Sequence, residues 1–203
     1  MRFHEPLNDI FGNKTQIKLL RLLSRTRSPH TGRELARLIG QSHNTTRFAL
    51  EELERNGLVV KQQAGRSNLY SLDEENIIYT EILVPAFKLE EGLLGKVARI
   101  FSDELGEDLL DIVLFGSVAR GEELPHSDID LVLVLKDGSD LEIAEESAAE
   151  ASLQVTQKFG NQVSTILVNN AEFERKRKAR QGLWKEIIET GLSLEPNGSS
   201  DHG

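Results

Sequence analysis

The stretch that most constrains this chain runs from Phe115 to Val134, FGSVARGEELPHSDIDLVLV. An apolar segment, LLDIVLFGS, ends in Gly116-Ser117. A polar loop follows, and then SDIDLVLVL sets Asp128 and Asp130 on either side of Ile129 before continuing as an apolar run. Both apolar segments read as strands. Alternate residues of a strand face the same side, so Asp128 and Asp130 project together while Ile129 enters the core. Two carboxylates held side by side repel each other and lose hydration, and a divalent cation relieves both. Gly116 lets a phosphate approach the backbone, and a helix starting near Ser117 offers free N–H groups to an anion. The pattern points to a nucleoside triphosphate held with Mg²⁺ or Mn²⁺.

The same residues resemble the nucleotidyltransferase superfamily that includes DNA polymerase beta, most closely its minimal and aminoglycoside-type bacterial members. GSVARGEELPHSDIDLVLV matches their Gly-Ser, spacer and Asp-x-Asp pattern, including Ala119-Arg120-Gly121 and Ser127. The resemblance covers roughly residues 95–192. It implies that Gly116 and Ser117 hold triphosphate, with Ser127 in the same nucleotide-binding set. Asp128 and Asp130 are then the catalytic metal ligands, and Arg120 supports the loop or a phosphate.

Active members of that superfamily bring a third carboxylate from a later strand. Here the strand after the expected helix Leu141–Phe159 is NQVSTILV, which has no Asp or Glu. Ser164 or Thr165 stands where the acid is expected, and Glu172 lies just beyond. Nucleotide and metal binding is therefore the expectation, without efficient transfer. The segment AEFERKRKARQGLWKEIIETG reads as one last helix, its basic run Arg175–Arg180 either solvated or meeting phosphates, with Leu183, Trp184, Ile187 and Ile188 turned inward.

Charge divides the chain. Residues 1–72 hold 12 Lys and Arg against 6 Asp and Glu, whereas residues 73–203 hold 12 against 27. A basic module followed by an acidic one suggests two partners, the first polyanionic. Within the basic part, KTQIKLLRLLSRT places Ile17, Leu19, Leu20, Leu22 and Leu23 on a helical stripe. In TGRELARLIG, Thr31 and Glu34 have capping-box spacing and Gly40 ends the helix. QSHNTTRFALEELERNG then opens at Ser42, is expected to bury Phe48, Leu50 and Leu53, and ends at Gly57. Its first turns carry Gln41, Ser42, His43, Asn44, Thr45, Thr46 and Arg47, short donors and acceptors suited to base edges and phosphates. Glu51, Glu52 and Glu54 follow, where they are expected to point away from DNA. LVVKQQAGRSNLYSL reads as a hairpin turning at Ala64–Gly65, with Lys61 and Arg66 at its tip.

Residues 12–72 resemble a winged helix-turn-helix of the bacterial regulator type, which implies double-stranded DNA as partner through Ser42, His43, Asn44, Thr45, Thr46, Arg47, Lys61 and Arg66.

The fold expected is α+β: a winged helix-turn-helix over 1–72, a helical connector over 73–108, a nucleotidyltransferase-like mixed sheet with helices over 109–196, and a disordered tail over 197–203. The connector carries Ile82, Leu89, Leu93, Val97, Ile100 and Phe101 at helical spacings, with Pro85 starting or kinking it, and suits a homodimer helix or a spacer packed on the chain's own domains. There is no run of eighteen apolar residues, so no membrane span, and with no Cys the default is a cytoplasmic protein without disulfides. The functional expectation is a transcriptional regulator whose second domain binds nucleotide or a partner. The alternatives are an active nucleotidyltransferase with a small-molecule, protein or RNA acceptor, and an antitoxin with a toxin partner.

Overall fold

The computed structural model describes residues 12–194, and its packing parts between Glu90 and Glu91 into two units. The segment 197–203, expected as a tail, lies outside the described residues.

In the first unit, Asn13 caps helix α1 (Lys14–Thr26) by accepting from the Thr15 amide at 2.9 Å. A short strand β1 (His30–Thr31) leads into α2 (Gly32–Leu38), where Thr31 accepts from the Glu34 amide at 3.2 Å, the cap its spacing predicts. Ser42 does the same for the Thr45 amide at the start of α3 (His43–Arg55). Strands β2 (Val59–Ala64) and β3 (Ser67–Leu72) form the wing, and the small sheet is ordered β1-β3-β2. Gly65, at φ +60, makes the tight reversal that a side chain would resist. Leu19, Leu20, Leu23, Leu35, Leu50 and Leu53 form the core.

The connector is not one helix. A π-helical turn (Tyr79–Leu83) runs into α4 (Val84–Glu91); Gly92 interrupts, and α5 (Leu93–Leu105) follows. Tyr79, Leu83 and Phe87 pack into the first core, whereas Val97 and Phe101 pack into the second. The helical spacing of 73–108 is real, but it serves two cores. Leu89 and Leu93, near the break, stay exposed.

The second unit is a four-stranded sheet ordered β6-β5-β4-β7. Strands β4 (Leu109–Phe115) and β5 (Ile129–Leu135) pair antiparallel, and β6 (Val163–Asn169) joins β5 parallel after the crossover helix α7 (Leu141–Phe159). Alternation divides the side chains cleanly. Ile112, Leu114, Leu131, Leu133 and Leu135 meet α5 and α7, and the small residues Ala144, Ala148 and Ala151 let α7 lie close. On the other face, Val113, Phe115, Val132, Val134 and Val168 meet Phe173, Trp184 and Ile187.

Those last three belong to two helices, α8 (Asn170–Ala179) and α9 (Leu183–Thr190), where the sequence suggests one. Arg180 at φ +47 and Gly182 at φ +54 break the run and fold α9 back, so that Phe173 meets Trp184 edge-on at 6.0 Å. Leu183, expected inside, is exposed. The chain then enters β7 (Leu192–Ser193), which pairs with β4. Gly191 permits that docking: a Cβ there would lie 2.8 Å from the Val113 side chain and would overlap the Ile187 carbonyl.

Candidate nucleotide and DNA sites

Asp130 is the second position along β5's ladder, paired with Phe115 at the end of β4. Gly116 therefore sits directly over it. A Cβ on Gly116 would overlap the Asp130 carboxylate, and its φ of +73 is one that L-residues avoid. The Gly-Ser step is thus needed for close approach to the aspartate itself. Asp128 lies just before β5, exposed in the loop, and Asp130 is half-buried. The Asp130 carboxyl is pushed up from its ordinary value, first by burial, then by the Asp128 charge, then by that of Glu186.

The helix expected near Ser117 is a single turn, α6 (Gly116–Ala119). Arg120 follows it, donating from Nε to Glu122 at 2.8 Å and from a terminal nitrogen to Glu186. These carboxylates, Glu122 foremost, raise the guanidinium's pKa further. Arg120 accordingly supports the loop. The Ser127 hydroxyl is turned to the same purpose, accepting from the Leu124 amide at 2.9 Å. Asn161, which sequence reasoning missed, donates to the Ser127 carbonyl at 2.9 Å and ties the loop to the end of α7.

The parallel register decides between the two candidates on β6. Ser164 pairs with Asp130, whereas Thr165 pairs with the fully buried Leu131 on the opposite face. Ser164 is exposed beside the aspartate, and no carboxylate of β6 is there. Glu172 is excluded as a substitute. It lies in the first turn of α8, beyond the far end of β6, and pairs with Lys176 at 2.8 Å. The acid that does approach is Glu186, carried in by the folded-back α9. Its position depends on the turn at Arg180–Gly182, so no local motif marks it. Among the described residues no three His, Asp or Glu side chains are placed to hold one ion. Two carboxylates still suit Mg²⁺, which completes its shell with water and substrate phosphates.

In the first unit, His43, Asn44, Thr45 and Arg47 are exposed at the start of α3, as is the capping Ser42. Thr46 departs from the expected set: it is 0% exposed and its hydroxyl donates to the Ser42 carbonyl. Its place in the helical phase, with Ala49, Leu50 and Leu53, turns it inward. Phe48 departs the other way, exposed where burial is expected. Glu51 does not point away from the basic surface, since it accepts from Arg47 at 2.6 Å. Arg66 occupies the wing turn. Lys61 is set back from the tip, paired with Tyr70 in the ladder and 3.9 Å from Glu54.

Residues 94–189 match the family model described as "Nucleotidyltransferase domain", and residues 13–60 that described as "Winged helix-turn-helix DNA-binding". The chain joins a winged helix-turn-helix to a nucleotidyltransferase domain. The winged-helix match stops within β2, and the structure adds β3 to complete the wing. The "Putative protein adenylyltransferase MJ1305" of Methanocaldococcus jannaschii is 29% identical over 90 residues, 44% of this chain and 61% of that protein, so the match spans less than two thirds of its relative.

Among solved structures, a homodimeric winged helix-turn-helix DNA-binding domain from Mycobacterium bovis is 17% identical with a TM-score of 0.34, covering 45% of this chain and 84% of that one. A toxin–antitoxin structure with AMP-PNP is 19% identical with a TM-score of 0.35, covering 50% and 72%. Within the nucleotidyltransferase domain, Gly116, Asp128 and Asp130 carry the motif, and Ser164 stands at the β6 position beside it. No described helix is long and apolar enough to cross a membrane.

Proposed function

We propose that this protein is a DNA-binding transcriptional regulator whose nucleotidyltransferase domain binds a nucleoside triphosphate with Mg²⁺ but poorly transfers its nucleotidyl group, the step that would release pyrophosphate. The observation that carries this reading is the register of Ser164 against Asp130, with no carboxylate on β6. A serine hydroxyl neither holds a second cation well nor takes a proton at neutral pH. Asp128 and Asp130 bind the cation, and Gly116 admits the phosphates. Ser42, His43, Asn44, Thr45, Arg47 and Arg66 face the duplex, a pair of chains reads two half-sites, and the protein acts in the cytoplasm. Incubating the full chain with labelled triphosphates and Mg²⁺, alongside gel shifts with and without nucleotide, tests this. Nucleotide-dependent DNA affinity without labelled product is the expected result, and rapid labelling of an acceptor refutes it.

A second reading, an active nucleotidyltransferase, has Glu186 in its favour, because α9 brings that carboxylate towards Asp130 and ties it to Arg120. The acceptor would then be a protein, the class named for its Methanocaldococcus jannaschii relative. Under this reading Glu186→Gln abolishes labelling that the unmodified chain shows. Under the first there is no labelling to lose.

A further inference from the structure

Phe48 is 58% exposed in the middle of a helix whose inner face is well filled by Thr46, Ala49, Leu50 and Leu53. At 100° per residue it lies on the outward arc with Asn44 one turn before it and Glu52 one turn after. Arg47 lays its guanidinium over the ring, 4.3 Å from the centroid, and is held at its other side by Glu51 at 2.6 Å. The ring is thus a fixed apolar spot surrounded by polar groups. It is too small to be the core of a protein interface, which needs contiguous apolar area. The module around it carries 12 Lys and Arg against 6 Asp and Glu, so the complementary partner is a polyanion.

Resting on the DNA-binding reading above, we propose that Phe48 is a specificity-determining residue that reads the 5-methyl group of thymine in the major groove. Thymine is the base whose major-groove edge carries a methyl, and an aromatic ring on a recognition helix is one of the side chains that contacts it. Asn44, one turn earlier on the same arc, has the paired acceptor and donor that match adenine N6 and N7. The two together favour A·T pairs. Arg47, stacked on the ring, keeps the aromatic side chain in one orientation before binding, which lowers the entropy lost on docking.

The test uses the full chain and a duplex enriched by that chain from a random-sequence pool. The duplex is resynthesised with uracil replacing single thymines, which removes the methyl and leaves the pairing intact. The expected result is one thymine per half-site whose replacement weakens binding about fourfold, the scale of one buried methyl. Phe48→Ala should bind the thymine and uracil duplexes alike, and Phe48→Leu should keep part of the difference. Because the ring is exposed, both variants should keep the unmodified Tm. Equal binding of every uracil duplex by the unmodified chain overturns the inference, as does a Phe48→Ala variant with undiminished uracil sensitivity. Dissociation of a dimer on Phe48→Ala also overturns it, by assigning the ring to a second copy. Failure of the chain to enrich any duplex removes the DNA-binding reading and this inference with it, whereas the other outcomes leave that reading standing.

Discussion

Ser164 and Asp130 are direct neighbours across the parallel β5–β6 ladder, on the sheet face where the carboxylate pair gathers. A carboxylate at 164 would stand beside Asp130 at the site's open rim. One at 165 would instead point with Leu131 into the packed face under α7.

Ser164→Asp should therefore raise nucleotidyl transfer, by about 10²–10⁴-fold if it supplies general-base assistance. Thr165→Asp should not. It should lower Tm, because it places a carboxylate on the face where Leu131 and Leu133 pack into the core. Labelled-product formation and thermal melts, run side by side, distinguish the two variants. A gain of transfer at 165 and none at 164 would contradict the register.

Asp130→Asn should stabilise the metal-free protein at neutral pH. Asp130's folded pKa is raised, by burial first and then by Asp128 and Glu186, so ionising it costs the native state more than the unfolded one. That penalty is absent below the usual carboxylate range and grows as pH rises through the unfolded and then the folded pKa. The variant's advantage in Tm should be present at pH 7 and should vanish near pH 3. Melts in the presence of a chelator, at both pH values, check it.

Gly116→Ala should cost stability and metal binding together. The new Cβ meets the Asp130 carboxylate, and the backbone at φ +73 resists any L side chain, a cost of ~1–2 kcal/mol by itself. Mn²⁺ titration followed by electron paramagnetic resonance should show the affinity lost. Gly121→Ala serves as the control: it shares a positive φ but meets nothing within 4 Å, so it should destabilise and leave Mn²⁺ affinity intact.

Arg66→Ala at the wing turn should weaken DNA binding evenly across sequences and reduce the salt slope by about 1. Arg47→Ala, at the start of α3, should alter sequence preference more. Lys61→Ala should do least, because that lysine is set back along β2 and close to Glu54. Fluorescence anisotropy at several salt concentrations ranks the three, and a dominant Lys61 would show that the wing approaches DNA along its side.

Local pattern determined much of this protein. The capping residues Thr31 and Ser42, the alternating strands LLDIVLF and IDLVLVL, and the glycines at the turns act within a few residues of themselves, so their consequences are written in order along the chain. The Gly-Ser and Asp-x-Asp motifs are legible for the same reason: both sit at strand ends a short loop apart. Burial within a helix was less legible. Phe48 reads as core by hydrophobicity, yet the phase set by Ala49, Leu50 and Leu53 turns it out and turns Thr46 in.

Tertiary structure alone decided three matters. It divided the connector between two cores, it chose Ser164 over Thr165, and it brought Glu186 to Arg120 and Asp130. Each depends on how distant segments register or fold back. Strand register is fixed by which face is buried, and the path of α9 by the break at Arg180–Gly182 and the docking of β7 on β4. Those are sums over many long-range contacts, and no short stretch of sequence holds them.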